Sequence, residues 1–369
     1  MKSELSSLEV RVIVKELSLL VGARVDQVYQ LKDKDVVIQL HKSGSGKQKV
    51  RIWAPKAVFL SLESYEFPQN PHTFCTSLRK YLSLTKLSSV TQFGAERVII
   101  LEFASKEASC KIIVELFSKG NIILCDGDMK IISVSERQIW SARKLNPGEQ
   151  YVFPPARMDF FSATDQNLLS AALASNKDAL VKFLAMDIGL GGTYAEEICF
   201  QLGLDKLSPT KNIDGELALK IIASIHKIDK AKLNSLIVYK NSEVENVIPW
   251  PLKIYEGLES KSFSSYSAAL DNYYATEHKE PSANEKKIES LNRILQEQED
   301  MLIIINREID ENAQKGDFIY SNYQQISEIL STFSEARKKH SWKEIKSRVK
   351  DHPVVKEVDE KTAKIVIEL

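Results

Sequence analysis

The chain has 369 residues, of which 43% are hydrophobic and 27% are charged, and its formal net charge at pH 7 is zero. This length supports two or three domains. The sequence contains no run of 18 apolar residues and no basic start followed by an apolar core, which argues against a transmembrane helix and a secretory signal. We therefore expect a soluble, cytoplasmic protein.

The cysteines and histidines are scattered. The four cysteines (Cys75, Cys110, Cys125 and Cys199) form no CxxC pair, so we expect reduced, partly buried thiols rather than disulfides or a metal site. The six histidines are equally dispersed, and the sequence predicts no metal and no cofactor. Residues 1–156 carry 22 Lys and Arg against 16 Asp and Glu. A modestly basic first part permits contact with nucleic acid without requiring it.

The first part of the chain, residues 1–156, predicts an α+β domain. Ser6 and Glu9 have the spacing of a capping box, so Ser6 should open a helix that Gly22 ends. Alternating apolar segments then predict a meander or sandwich of strands, interrupted by one helix at residues 74–82. The predicted strands are residues 24–31, 35–41, 49–54, 58–62, 88–93, 97–103, 109–117, 121–125 and 130–135.

Residues 157–278 are predicted to hold a helix-hairpin-helix followed by a mixed α/β segment. Gly189 and Gly191 have the spacing of the hairpin motif, with Gly192 directly after them. Glycines at these positions permit a tight turn and let backbone N–H groups approach a phosphate. The alternative is a glycine-rich corner without a ligand, which the acidic neighbours of the motif favour because they repel phosphate.

The mixed segment predicts strands at residues 236–239 and 247–255 and a helix at residues 265–274. Residues 278–282 are polar and predict a linker.

Residues 279–350 are predicted to form a long antiparallel coiled-coil hairpin. Apolar residues recur at alternating steps of three and four, which keeps a narrow seam on one side of a helix. A turn is predicted at residues 312–317, and each arm of about 28 residues should reach about 40 Å. The seam residues are Ile288, Leu291, Leu295, Gln298, Leu302, Ile305 and Ile309, then Ile319, Tyr323, Ile326, Leu330, Phe333 and Arg337. We expect such an arm to provide reach, with a rigid spacer or a dimer interface as the alternative.

Two features follow the arm. Basic residues between Arg337 and Arg348, with Trp342 among them, predict either a solvated helix end or a contact with an RNA backbone. The apolar residues within 364–369 predict a strand, which we interpret as the first strand of a further domain. Residues 351–369 are therefore predicted to be the start of that domain.

Seven separated motifs, in one order, resemble the NFACT family, which comprises the RqcH and NEMF proteins of ribosome-associated quality control, once called fibronectin-binding proteins. The motifs are MKSELSSLEV from Met1, FCTSLRKYL from Phe74, QFGAERVI from Gln92, ELFSKGNIILCD from Glu115, GLGGTYAEEI from Gly189, KGDFIYSNY from Lys315 and SWKEI from Ser341. The resemblance covers nearly the whole chain. It implies an N-terminal α/β-sandwich domain related to the formamidopyrimidine-DNA glycosylases, a helix-hairpin-helix domain and a coiled-coil hairpin, with an RNA-binding NFACT-R domain to follow.

The resemblance also implies a function. Members of the family bind the large ribosomal subunit carrying a stalled peptidyl-tRNA, where they recruit tRNA so that the nascent chain is extended at its C terminus without a template. By this resemblance the protein is not an enzyme, because the ribosome supplies the peptidyl-transferase chemistry. Its partners would be the large subunit, tRNA and the stalled nascent chain, with no membrane, and self-association through the coiled coil is a further expectation.

The family handles tRNA with two aspartates and an arginine, and these positions match Glu9, Glu96 and Arg97 here. Glutamate moves each carboxylate out by one methylene, so ribosome binding and tRNA extension need not go together. Arg97 should face solvent because it alternates with the apolar Val98 along a strand.

Two further sets of candidates contact RNA in this interpretation. The candidates for the nucleic-acid backbone are Gly189, Gly191, Gly192, Arg79 and Lys80. The candidates for a ribosome contact at the coiled-coil tip are Lys315, Asp317, Tyr320 and Asn322. For Tyr320 the alternative is packing in the seam.

Three other interpretations stay open. A glycosylase-like enzyme is disfavoured because those enzymes use an N-terminal proline amine, and this chain starts Met1-Lys2-Ser3-Glu4. A surface adhesin has support only from the old family name. A coiled-coil scaffold that binds another protein and no RNA would require only the arm.

Overall fold

The structure, a computed structural model, describes residues 2, 4–106, 108–140, 143–277, 283–349, 354–359 and 364–367. The chain divides into two compact units, Met1–Lys279 and Glu280–Leu369. The fold is mixed α+β, as the sequence predicts, and its largest element is an antiparallel sheet in the first unit. The predicted linker at residues 278–282 lies outside the described residues, as do residues 368 and 369.

Nine strands form this sheet. They are β1 (Arg24–Lys32), β2 (Asp35–Lys42), β3 (Gly46–Trp53), β4 (Ala57–Ser61), β5 (Lys86–Gln92), β6 (Val98–Ala104), β7 (Ser109–Glu115), β8 (Asn121–Asp126) and β9 (Ile131–Val134). Their order is β4-β3-β2-β1-β5-β6-β7-β8-β9. The nine predicted strands lie within three residues of these bounds, because turns and alternating apolar residues are local signals.

The helices and smaller sheets of the first unit complete its chain order. Short strands β10 (Gln138–Ile139) and β11 (Lys144–Leu145) pair with each other. The helices are α1 (Ser7–Ser18), α2 (Thr73–Leu82), α3 (Asp165–Ala174), α4 (Leu180–Lys182), α5 (Gly192–Leu202), α6 (Gly215–Lys230) and α7 (Tyr266–Glu277). A π-helical turn (Phe183–Asp187) continues α4. A three-stranded sheet in the order β13-β12-β14 contains β12 (Ser235–Lys240), β13 (Glu243–Ile248) and β14 (Glu259–Phe263).

Apolar residues bury both faces of the β6–β8 region. On β6, Val98 belongs to a small cluster with Ile113 and Tyr151, whereas the next residue, Ile99, belongs to the main core. Successive side chains of a strand point to opposite faces, so a run of consecutive apolar residues indicates burial on both sides. The main core continues from the sheet into α5, α6 and α7 without a break. This continuity holds the first sheet and the later helices as one body.

The predicted strand at residues 247–255 is too long. The observed β13 ends at Ile248, and the short 3-10 turn Lys253–Tyr255 follows. Pro249 and Pro251 stand between them, and proline has no N–H to donate to a sheet ladder.

All four cysteines are free and buried. Burial raises the pKa of Cys110 to about 11. Burial, with a smaller contribution from Asp126, raises the pKa of Cys125 to about 12. At pH 8 a thiol with pKa 11 is about one part in a thousand thiolate, compared with roughly a quarter for an unperturbed cysteine.

We therefore expect Cys110 and Cys125 in the native protein to react with a maleimide at pH 8 at least about a hundredfold more slowly than in the denatured chain. Mass spectrometry after timed quenching would locate each modified cysteine. Rapid native labelling of Cys125 would show that the β7–β8 region opens to solvent.

The second unit is mainly helical. Its elements are α8 (Ala283–Ser321), α9 (Tyr323–Lys339), α10 (Trp342–Arg348), β15 (Val355–Asp359) and β16 (Lys364–Ile367). Ser341 and Glu344 form a reciprocal capping box that opens α10. The predicted opening strand at residues 364–369 is instead the second strand of a hairpin, because β16 pairs antiparallel with β15.

The turn predicted at residues 312–317 is wrong. Helix α8 runs through Gly316 and ends at Ser321, and the irregular residue is Asn322, with φ −109° and ψ 20°. A single glycine costs a helix only about 1 kcal/mol, and the good helix formers Ala313, Gln314 and Lys315 directly precede Gly316. Helical hydrogen bonds continue on both sides of Asn322. The Asn322 N–H donates to the Phe318 carbonyl, and the Ile326 N–H donates to the Asn322 carbonyl.

The described seam residues of α8 are exposed to solvent. The exposed fractions of the described apolar seam residues range from 43% for Ile305 to 59% for Leu302. Within the described part of the chain, no second helix covers this seam. The antiparallel hairpin therefore stays a prediction, although the long helix that would carry it is present.

Candidate functional site

A cleft of about 900 Å³ opens on the first unit. Six separate segments line it. They are the start of the chain through the first turn of α1, the turn between β5 and β6, the extended segment after Pro155, Lys177 between α3 and α4, the π-helical turn with the glycine turn and the start of α5, and β13 with the 3-10 turn that follows. Five of the predicted site residues line the cleft, namely Glu9, Arg97, Gly189, Gly191 and Gly192. The fold thus brings together residues that are up to 183 positions apart in the sequence.

Glu9 lies at the buried end of the cleft, and its side chain has no exposed surface. Its carboxylate accepts a hydrogen bond from the Ser6 N–H at 2.7 Å and one from the Tyr194 hydroxyl at 3.2 Å. The Lys2 ammonium lies 2.5 Å from the same carboxylate. Burial and the Glu9 charge raise the pKa of Tyr194 well above its ordinary value, so this hydroxyl keeps its proton and donates. Glu9 is therefore committed to contacts within the protein.

Glu96 is also buried, with 8% of its surface exposed. It stands in the turn between β5 and β6, where Gln92 Nε2 donates to its carbonyl at 3.0 Å. Its carboxylate accepts the backbone N–H of Arg157 at 2.7 Å. This carboxylate therefore connects the sheet to the segment that leads into α3.

Alternation along a strand predicts that Arg97 faces solvent, but the structure places it elsewhere. It precedes β6, which begins at Val98, and its side chain is 20% exposed. The guanidinium lies 2.6 Å from the Glu4 carboxylate. Because Gly94 adopts a positive φ of 51°, the chain turns here before the strand begins, and the predicted alternation does not apply.

Arg157 is exposed and lies at the mouth of the cleft. Its guanidinium packs against Gly189: a Cβ at that glycine would lie 3.0 Å from Nη1 and 3.2 Å from Cδ of the arginine. No carboxylate among the described residues forms an ion pair with it.

The glycine turn connects the π-helical turn to α5. Gly189 has φ +87° and Gly191 has φ +81°, which L-residues with a Cβ rarely adopt. Gly191 is the N-cap of α5 and offers no side chain to cap it. The first N–H groups of α5 therefore face the cleft without a side-chain acceptor, next to Gly192.

The charges of the cleft are largely paired. Lys2 pairs with Glu9 and Arg97 with Glu4. Lys177 lies 4.0 Å from Asp187, and Glu196 pairs with Lys206. Among the described residues that line the cleft, Arg157 is the cation without a carboxylate partner. Two acidic neighbours of the glycine turn, Asp187 and Glu196, thus have cationic partners within the protein, whereas the buried Glu197 accepts hydrogen bonds from the backbone N–H groups of Lys253 and Ile254.

Arg79 and Lys80, the other candidates for the nucleic-acid backbone, lie on α2 and do not belong to the described lining of the cleft. Arg79 Nε donates to the Val28 carbonyl at 2.8 Å, and its guanidinium lies over Tyr29. Lys80 is exposed and lies 5.5 Å from the Tyr81 ring centre. The two residues would serve a surface separate from the cleft.

The candidates for the coiled-coil tip lie in the second unit. Lys315, Asp317 and Tyr320 fall within the last turns of α8, and Asn322 is the junction with α9. Tyr320 is 87% exposed, so it does not pack in a seam among the described residues.

Several cleft residues are not among the site residues predicted from the sequence, and they include Lys2, Arg157, Lys177 and Tyr194. A usable signal exists for Arg157 alone. It lies two residues after Pro155, and the Pro154-Pro155 pair lacks backbone N–H groups and keeps the chain extended, so the side chains that follow are prone to exposure at a domain edge. Tyr194 contacts Glu9 across 185 residues, and no local pattern announces that pairing.

We expect Gly189→Ala and Gly191→Ala each to lower the free energy of unfolding by about 1–3 kcal/mol, because both residues would hold a Cβ at positive φ. Gly192→Ala is the matched control: its φ is not in the left-handed region and its Cβ would meet nothing within 4 Å. Urea unfolding of the three variants provides the comparison. Equal stability of Gly189→Ala and Gly192→Ala would mean that the turn does not require glycine.

Comparisons with known proteins agree on one family. Residues 6–365 match the family described as NFACT N-terminal and middle domains. The archaeal Rqc2 homolog aRqcH of Methanocaldococcus jannaschii is 32% identical over 396 aligned residues, covering 100% of this chain and 58% of the relative. The ribosome quality control complex subunit NEMF of Homo sapiens is 24% identical, covering 95% of this chain and 36% of its own length. The chain thus spans between about a third and three fifths of these relatives.

Two solved structures share the fold. The N-terminal part of the fibronectin/fibrinogen-binding protein of Streptococcus suis aligns with a TM-score of 0.60 and 24% identity, covering 74% of this chain and 100% of that one. The fibrinogen-binding protein of Staphylococcus aureus aligns with a TM-score of 0.61 and 19% identity, covering 73% and 98%. At these identities the likeness concerns the fold alone.

Two features are absent from the described residues. No helix in these ranges has an apolar stretch long enough to cross a bilayer. No three His, Cys, Asp or Glu side chains in the same ranges are grouped to hold a metal ion.

Proposed function

This chain belongs to the NFACT family, and we propose that it acts in ribosome-associated quality control by binding the large ribosomal subunit that carries a stalled peptidyl-tRNA and recruiting tRNA to it. The recruited tRNA would serve template-free extension of the nascent chain at its C terminus. The protein would form no bond itself, since the ribosome provides peptidyl transfer. Its place of action would be the cytoplasm, where such subunits occur.

One observation carries this proposal for the chain itself: the cleft gathers Arg97, the glycine turn and the uncapped start of α5 around a space of about 900 Å³. Backbone N–H groups at a helix start and arginine side chains are suitable donors for phosphate oxygens. A space of this size can admit a segment of a polynucleotide rather than a single ion.

The family resemblance implies that Glu9 and Glu96 contact tRNA directly, whereas we propose that they support the residues that do. Glu9 and Glu96 are buried, and both carboxylates accept hydrogen bonds from within the protein. They would support tRNA binding by holding Lys2, Tyr194 and Arg157 in place. Arg97 would reach tRNA by exchanging Glu4 for a phosphate, and such exchange is inexpensive because a salt bridge at a protein surface contributes only about 0–1 kcal/mol.

The π-helical turn, the glycine turn and α5 would serve as the helix-hairpin-helix of the family, with Gly189, Gly191 and Gly192 facing the RNA backbone. Helix α8 would be the arm, and Lys315, Asp317, Tyr320 and Asn322 would contact the ribosome. Arg79 and Lys80 would add a second backbone contact on α2. Pairing of the exposed α8 seam with a further helix, from this protein or from a second copy, would complete the coiled coil.

Sedimentation of a lysate from cells that express the protein tests this proposal. We expect the protein to migrate with the large subunit, and to return to the top of the gradient after RNase treatment. A position at the top in both gradients would overturn the ribosomal function. It would then favour a glycosylase-related nucleic-acid-binding protein if DNA retains the chain, or a coiled-coil scaffold if neither nucleic acid does.

A further inference from the structure

Arg157 is held at two points by residues from different parts of the chain. Its backbone N–H donates to the buried Glu96 carboxylate at 2.7 Å, which fixes the position of its Cα. Its side chain then extends over Gly189, where the missing Cβ leaves room for the guanidinium. Without both contacts, an exposed arginine in a segment that lacks regular structure would sample many rotamers.

The Arg157 side chain nevertheless differs from the other cations of the cleft, because it forms no ion pair with a described carboxylate. Lys2, Arg97 and Lys177 line the same cleft, and each lies within 4.0 Å of a carboxylate. Arg157 has no such partner among the described residues, and the residue is exposed. A planar fork of N–H donors that is pre-positioned and unpaired can bind an anion without first losing an internal partner.

We propose that Arg157 is a phosphate-contacting residue of this cleft, and that Glu96 is a positioning residue that acts through it. This inference rests on the proposed function, because the phosphate would belong to the recruited tRNA. It assigns Glu96 no contact with RNA: the carboxylate is buried and its Oε1 is occupied by the Arg157 N–H. It also explains why an acidic residue can support binding of a polyanion that it would repel directly.

The test measures how tightly the 369-residue chain binds deacylated tRNA at several KCl concentrations, together with co-sedimentation of wild type with large subunits. We expect Arg157→Ala to weaken tRNA binding by about tenfold or more, since hydrogen bonds to charged groups are the strong ones. The slope of log affinity against log salt should fall by about one, as one phosphate contact is lost. Arg137→Ala removes an exposed arginine outside the cleft and should change neither quantity.

The Glu96 variants separate positioning from direct contact. Glu96→Gln keeps an oxygen that can accept the Arg157 N–H, so it should bind tRNA about as wild type does. Glu96→Ala should weaken binding about as much as Arg157→Ala, and the double variant should be no weaker than Arg157→Ala alone, because the two residues act in series. If Glu96→Ala is too unstable to fold, two results still test the inference. They are the comparison of Arg157→Ala with Arg137→Ala and the tRNA affinity of Glu96→Gln.

Three results would overturn the inference while the proposed function stands. They are equal tRNA binding by Arg157→Ala and wild type, equal losses in Arg157→Ala and Arg137→Ala, and a loss in Glu96→Gln as large as in Glu96→Ala. Wild type that neither binds tRNA at low salt nor sediments with large subunits would instead overturn the proposed function, and the role of Arg157 with it.

Discussion

Replacing Glu9 with Ala is expected to lower the free energy of unfolding by about 3–5 kcal/mol, the cost of removing one partner of a buried ion pair. The substitution would leave the Lys2 ammonium, whose side chain is 7% exposed, without its carboxylate. It would also remove the acceptor of the backbone N–H of Ser6, the N-cap residue of α1, and the acceptor of the buried Tyr194 hydroxyl. Several buried donors would lose their partner at once, and each carries a desolvation cost.

Denaturant unfolding followed by circular dichroism provides the measurement for Glu9→Ala. Glu196→Ala is the matched control, because it removes a carboxylate from the same cleft whose partner, Lys206, is exposed, and it should change stability by less than about 1 kcal/mol. Glu9→Gln should fall between the two, since an amide oxygen can still accept from Tyr194 or Ser6 while its amino group faces Lys2.

A Glu9→Ala protein as stable as Glu196→Ala would contradict this account. It would mean that the Glu9 carboxylate exchanges its internal partners freely, and a direct contact between Glu9 and tRNA would then regain support.

The parts of the fold that follow from local chemistry could be predicted. The capping box of Ser6 and Glu9 places the start of α1, since it involves residues three apart. Turn residues and alternating apolar residues place the nine strands of the large sheet, and their mixture with helices gives the α+β class. The failure at Gly316 shows the limit of such reasoning. A single glycine destabilises a helix only slightly, so the neighbouring residues determine whether the helix continues.

The site was predictable only in part. Its glycine turn could be found because positive φ has a sequence signature, and Gly189 and Gly191 carry it. The roles of Glu9 and Glu96 could not, because their burial depends on partners 185 and 61 residues away. Alternation predicted a solvent-facing Arg97, but a turn at Gly94 and an ion pair with Glu4 place it in the cleft. Pairings of polar groups across such separations arise from the tertiary fold and leave no periodic trace in the sequence.

Shortening the arm should reduce binding to the large subunit by about tenfold or more while the first unit stays folded. Removing one heptad on each side of Asn322, residues 306–312 and 332–338, would keep the proposed contact residues between Lys315 and Asn322 and preserve the three-four spacing. It would shorten each helix by about 10 Å, which is further than a side chain can adjust. If the distal residues touch the ribosome, as we propose, that contact would be lost at this displacement.

The control for the shortened arm restores length without the sequence: the two heptads are replaced by helix-forming heptads of Ala, Glu and Lys, which should recover most of the binding if reach is what matters. Co-sedimentation with purified large subunits measures binding, and thermal unfolding monitors the first unit, Met1–Lys279.

Undiminished binding by the shortened protein would exclude a distal contact and leave α8 as a spacer. Loss of binding in both the shortened and the length-restored proteins would place the contact within the replaced heptads rather than near Tyr320. Because α8 presents its apolar seam to solvent in the described structure, self-association of each variant must be followed in the same gradients.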